Sequence, residues 1–212
     1  MAIYTKLDKE QVISIISNYN LGQMKKFEGI KEGIENTNYL VETDKGKFIL
    51  TIYEKRVNND DLPFFSKLMI ELNNKDFICP KPILNKNKEY ISDLNTKKFM
   101  LVSFLEGKSK TNLSPDDCSS VGRQAARLHE ITKNFDFKRN NNLSIKSWRK
   151  IFDQVRDKCN KIHPDLPKLI ETNLNDVEKG WPEDLPKGII PVSYTHLPRP
   201  RDLSTSRIES SA

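Results

Sequence analysis

Apolar and polar residues alternate along residues 38–43 (NYLVET) and 47–53 (KFILTIY), the two-residue period of half-buried strands. Asp44-Lys45-Gly46 between them predicts a tight turn, with Gly46 free to take a positive φ. A third run, 24–30, precedes them and predicts another strand. Before these runs the period changes. Val12, Ile15, Ile16 and Tyr19 recur at helical spacing, Asp8 and Gln11 form a capping-box pattern, and Leu21-Gly22 is expected to end the helix. After them, Asp61 and Pro63 open a second helix with an apolar face of Phe65, Leu68, Met69 and Leu72, stopped at Asn73-Asn74. Cys79-Pro80-Lys81-Pro82 forces an extended connection. Short strands are expected near Ile83 and Tyr90, and residues 98–104 read as a buried strand.

From there the pattern is helical. Ser114-Pro115-Asp116-Asp117 supplies a cap, a proline for the first turn and acids that complement the helix dipole, and Val121, Ala125 and Leu128 mark the buried side. Ser147 is expected to cap a helix carrying Trp148, Ile151, Phe152, Val155 and Cys159. A further helix is expected over 165–179, broken by Gly180-Trp181-Pro182, with a new strand over 187–190. Strands first and helices afterwards predict an α+β chain.

Composition narrows the partners. In 212 residues the net charge is +6, yet Lys25-Lys26, Lys45, Lys47, Lys55-Arg56 and Lys97-Lys98 are scattered, without the aromatic-interleaved basic stripe of a nucleic-acid binder. Three cysteines, Cys79, Cys118 and Cys159, without a CxxC, give no disulfide framework or zinc spacing and predict a reducing cytoplasmic setting. No signal-peptide pattern or membrane-spanning apolar run is present, so no membrane partner is expected.

The candidate chemistry lies in residues 29–38, the loop joining the first two strands. Gly33, Asn36 and Asn38 are residue types that let backbone N–H groups turn outward and cradle a phosphate. A glycine-bearing hairpin followed by the basic pair Lys55-Arg56 suits the covering of nucleotide phosphates. The same spacing suits a plain antiparallel meander with a loose loop, and spacing alone leaves both open.

The stretches GIKEGIENTNYLVET, FILTIYEKR, DLPFF, ICPKPI, LVSFLEG and VGRQAARLHE occur in an order that resembles bacterial homoserine kinases of the aminoglycoside-phosphotransferase-like type, distant cousins of protein kinases. The resemblance covers residues 1–190. It implies a protein-kinase-like two-lobe fold: a small antiparallel-sheet nucleotide-binding lobe over 1–105, and the first helices of an incomplete helical lobe over 106–190. It implies ATP and magnesium as cofactors, L-homoserine as acceptor, Gly33, Asn36 and Asn38 at the phosphates, and Ser103, Phe104 and Leu105 as a hinge meeting the adenine edge. Another small-alcohol kinase of this fold, acting on choline, ethanolamine or a thio-sugar, stays open, as does a non-catalytic nucleotide-binding or interaction module. Thr51 stands where kinase relatives carry a third-strand lysine; Lys47, Lys55 or Arg56 would substitute for it, or backbone alone would hold the phosphates.

In the resembled family a catalytic loop follows the segment LPKGII, with a His-x-Asp element and metal-binding Asn and Asp residues. None of these follows Ile190, so no catalytic residue or metal ligand is assigned and the chain is expected to be catalytically silent. Residues 191–212 have no periodicity, and VSYTHL matches the translation of a transposon end used in sequencing libraries, so this tail is expected to be foreign and unstructured. His196 falls in it. His129 is expected to be structural, and His163, before Pro164, a turn residue.

Overall fold

A computed structural model describes residues 3–31, 35–55, 57–107, 110, 112–137, 139–141, 143–184 and 188–189. Gly33, Arg56, Lys187, Ile190 and the tail from 191 on, each the subject of an expectation above, lie outside the described residues.

The chain divides into two compact units, one holding the residues up to Ile131 with 135–137, the other Thr132–Asn134 and the residues from Arg139 on. The first unit is built on a five-stranded antiparallel sheet in the order β1-β2-β3-β5-β4. Its strands are β1 (Met24–Ile30), β2 (Thr37–Thr43), β3 (Gly46–Ile52), β4 (Ile91–Leu94) and β5 (Lys97–Ser103). Alternation does what it predicted. In β2 and β3, Thr37, Tyr39, Val41, Phe48, Leu50 and Ile52 are buried, while Asn38, Leu40, Ile49 and Thr51 are only half-buried on the opposite face.

The buried face packs on α1 (Lys9–Ser17) through Val12, Ile15 and Ile16, with Phe99 and Leu101 of β5 completing the core. Asp8 and Gln11 form the predicted capping box. The helix ends earlier than its periodicity predicts, at Ser17. Tyr19 leaves it to bridge Asn85, with its hydroxyl 3.2 Å from Ser92 Oγ, yet stays in the core. A buried aromatic thus keeps its helical phase in sequence while serving a different backbone. The turn between β2 and β3 uses Gly46 at φ +129, and Asp44 there accepts the Gln23 N–H at 2.8 Å, tying the turn to the start of β1.

Helix α2 (Leu62–Asn74) carries proline in its first turn, but Asp61 makes no side-chain cap bond. Leu72 and Phe77 pack with Leu128 of α3 (Pro115–Thr132), which is why α3 belongs with the sheet unit although the sequence placed it in the helical lobe. The second unit holds α4 (Ile145–Asp153), α5 (Arg156–Cys159) and α6 (Leu166–Gly180). Ser144, not Ser147, is the N-cap residue of α4, and the helix expected to run to Cys159 breaks at Gln154–Val155. Arg149 of α4 pairs with Glu178 of α6, and Arg156 of α5 makes a two-pronged contact with Glu171, 3.1 Å to each oxygen. Gly188 and Ile189, within the expected strand, have no regular secondary structure.

Candidate functional site

The candidate residues that the structure describes lie at the two ends of the sheet. At one end β3 begins beside the end of β5, where the Phe104 N–H donates to the Lys47 carbonyl at 3.2 Å. Lys47 Nζ lies 5.6 Å from the Phe104 ring centre and 3.2 Å from Glu106 Oε1, so this cation sits at the end of β5 and not at the β1–β2 loop. Ser103, the last residue of β5, donates its N–H to the Lys81 carbonyl at 2.8 Å, and its Oγ accepts the Lys81 N–H at 2.9 Å. Two of the three N–H groups of the expected hinge are therefore engaged within the protein. Leu105, exposed, is the one whose N–H meets no acceptor among the described residues.

At the other end the strand entries Asn36, Thr37 and Asn38 each commit a side chain. Asn36 Oδ1 accepts the Glu54 N–H at 3.4 Å, bracing the base of the β1–β2 loop against the chain leaving β3. Asn38 Oδ1 accepts from Thr51 Oγ1 at 2.8 Å, its partner across the β2–β3 ladder. Thr51, in the position expected for lysine, is thus paired with an amide. The acid of α2, Glu71, pairs with Lys75 one turn on at 3.0 Å, and Lys55 is exposed.

Thr37 points to the other face and joins a network the sequence reading missed. Its hydroxyl donates to Glu54 Oε1 at 2.8 Å, Thr5 Oγ1 donates to the same oxygen at 2.6 Å, and Lys97 pairs with Oε2. The Tyr4 and Thr5 N–H groups donate to Thr37 Oγ1, and Tyr39 Oη donates to the Thr5 carbonyl at 2.9 Å. Burial pushes the Glu54 carboxyl up, but the Lys97, Thr5 and Thr37 hydrogen bonds outweigh it and hold the group below the ordinary carboxylate value. Residues 3–8 are strapped across the sheet end in this way, and Ile3 Cδ1 would lie 2.3 Å from a Cβ placed on Gly29. Periodicity gives no signal for a contact between Thr5 and Lys97, which are 92 residues apart.

Among the described residues no three His, Cys, Asp or Glu side chains come together as a metal site. The chain does spell His-x-Asp once within those residues, at His163-Pro164-Asp165. There the Asp165 N–H donates to His163 Nδ1 at 3.2 Å in an exposed turn before α6, so the element is a turn. His129 is exposed on α3. No helix among the described residues is long and apolar enough to cross a membrane.

Comparison with known proteins agrees with this architecture. The chain is 38% identical over 190 residues to a homoserine kinase of Xanthobacter autotrophicus, covering 90% of this chain and 59% of that protein. A homoserine kinase of Brucella anthropi is 36% identical over 190 residues, covering 90% and 58%. The chain thus spans less than three-fifths of the length of these curated relatives. The structure of a spectinomycin phosphotransferase in complex with ADP and spectinomycin superposes with a TM-score of 0.54, at 12% identity, over 92% of this chain and 60% of that one, which establishes the shared α+β kinase-like fold. The model of the phosphotransferase enzyme family matches residues 26–190, across the sheet and all six helices but the first, and the chain belongs to that family.

Proposed function

We propose that the protein transfers the γ-phosphoryl group of ATP to the side-chain hydroxyl of L-homoserine, and that this chain supplies the nucleotide-binding sheet of that enzyme. The observation that carries the reading is the identity of 36–38% to homoserine kinases, continuous over 190 residues rather than confined to one motif. The ADP named with the spectinomycin phosphotransferase supports an adenine nucleotide as the phosphoryl donor. In this reading Leu105 N–H meets the adenine edge while Ser103 and Phe104 hold the hinge in place. Gly33 and its loop cover the phosphates, braced at the base by Asn36. Because phosphoryl transfer depends on positioning and charge neutralisation, the rigidity of these supports is itself a functional property. Magnesium is proposed to accompany the nucleotide. The proposed setting is the cytoplasm, where the free thiols of Cys79, Cys118 and Cys159 stay reduced.

The test joins residues 1–190 to the remaining C-terminal part of the Xanthobacter relative and measures ADP formation with homoserine, choline and ethanolamine. Homoserine-dependent turnover is expected. Preferential turnover of another alcohol by the chimera, or its inability to bind ADP, overturns the reading.

A further inference from the structure

One face of the sheet holds an anomaly. Of its half-buried and buried residues, Ile30, Leu40, Ile49, Ile91, Met100 and Val102 are apolar and Glu42 and Lys98 are charged, and among them sits one neutral polar cross-strand pair, Asn38 and Thr51. A threonine hydroxyl and a carboxamide on an apolar surface cost stability unless their hydrogen-bonding capacity is used. Only half of it is used internally. Thr51 Oγ1 occupies Asn38 Oδ1, which fixes the amide so that its two Nδ2 hydrogens are the outward-facing donors. Among the described residues those hydrogens meet no protein acceptor.

The position of the pair says what it faces. The hinge lies beside Lys47 at the start of β3, and Thr51 is four residues further along the same strand, roughly 13 Å at the rise of an extended chain. That is the span from the base of an extended nucleotide to its phosphates. Between the two ends the face offers Leu40, Ile49 and Val102 to a flat base, and the apolar row ends at the one neutral double donor. We propose that the Asn38 amide donates from Nδ2 to a phosphate oxygen of the bound nucleotide, and that Thr51 is the positioning residue that orients it. The inference deepens the nucleotide-binding reading above and rests on it. A neutral amide in this place contributes directional hydrogen bonds and no charge, so it discriminates by geometry where an ammonium would attract any anion.

The experiment measures calorimetric affinities of the 212-residue chain for adenosine, AMP and ADP, together with thermal unfolding of each variant. Asn38→Ala is expected to weaken ADP about tenfold, the loss of one hydrogen bond to a charged acceptor, while adenosine changes less than about twofold. Thr51→Val is expected to weaken ADP about three- to tenfold with adenosine unchanged, and Thr51→Ser to restore wild-type affinity within about twofold, since the hydroxyl alone orients the amide. A merely structural role would weaken adenosine and ADP together and lower the unfolding temperature of both variants. That outcome overturns the proposal, as does ADP binding by Asn38→Ala equal to the wild type. Failure of the wild-type chain to bind adenosine or ADP overturns the nucleotide reading itself, and the inference with it.

Discussion

Replacing Lys97 by methionine tests the network that straps the N-terminal segment to the sheet. The substitution keeps most of the side-chain volume and removes the ammonium that pairs with Glu54 Oε2 and lies 2.5 Å from Thr5 Oγ1. Glu54 is 10% exposed and Lys97 32%, so the pair stands between the surface and buried limits. Exposed ion pairs are worth about 0–1 kcal/mol, while breaking a fully buried pair costs about 3–5 kcal/mol. The carboxylate keeps two hydroxyl donors after the change, and the expected loss is about 2 kcal/mol, or roughly 6–10 °C in unfolding temperature for a unit of this size. The pH dependence separates this mechanism from simple repacking. The Glu54 carboxyl titrates below its ordinary 4.5 in the folded chain, so its contribution is fully present above that value and is lost as pH falls through the lower, folded-state one. The difference between wild type and Lys97→Met is therefore full at neutral pH and closes in acid. Thermal and urea unfolding from pH 3 to 7, with Glu54→Gln and the double variant completing a cycle, reads both quantities. A loss under about 0.5 kcal/mol at pH 7, or one of equal size at both ends of the pH range, refutes the reasoning.

Leu128→Ala should cost about 2–4 kcal/mol, because it opens the contact of α3 with Leu72 and Phe77; urea unfolding followed by circular dichroism checks it. Gly22→Ala should cost about 1–2 kcal/mol, since φ is +76 and the new Cβ would lie 3.0 Å from Asp44 Cβ; calorimetric unfolding checks it. The Asp117 carboxyl, held at about 2 by Lys110 and then by the Ser114 N–H and hydroxyl, should titrate near that value by carbon-detected NMR, and Lys110→Ala should move it upward.

Strands β2 and β3, the first helix cap and the two faces of the sheet were legible because each is written in local sequence pattern, and β5 because its run is apolar; the strand expected near Ile83 is only an isolated bridge from Pro82 to Val102. The pairing of Asn38 with Thr51 was not legible, because the three-residue turn expected at Asp44-Lys45-Gly46 shifts the register by one and sets Asn38 opposite Ile52. The structure instead has a two-residue connection at Asp44-Lys45, which pairs Thr43 with Gly46, and counting five residues outward along each strand reaches Asn38 and Thr51. The break between α4 and α5 was not legible, because Phe152, Val155 and Cys159 keep helical spacing through it. Nor was the Glu54 network. Its members come from the N-terminal segment, the entry to β2, the exit of β3 and the start of β5, and only the closed sheet brings them together. The end of the last strand was legible to within a residue, yet the backbone use of the segment after it was not readable, since hydrogen bonds from Ser103 and Phe104 to Lys81 and Lys47 leave no side-chain signature.

Three consecutive residues at the entry to β2 join these observations. Asn36 holds the chain leaving β3, Thr37 holds the N-terminal strap and Glu54 on the core face, and Asn38 holds Thr51 on the opposite face. Because side chains alternate across a strand, the structural and the proposed ligand-facing roles fall on adjacent residues without sharing atoms. Changes at Thr37 or Lys97 should therefore act on stability with the ratio of ADP to adenosine affinity preserved, and changes at Asn38 or Thr51 on that ratio with stability preserved. Both sets act at the same end of the sheet, where the loop carrying Gly33 joins β2. The network fixes where β2 begins, and the amide beside it can then be aimed by one hydroxyl. A directional donor of that kind is useful only on a rigid support, which is the physical reason for so dense a set of hydrogen bonds at one strand end.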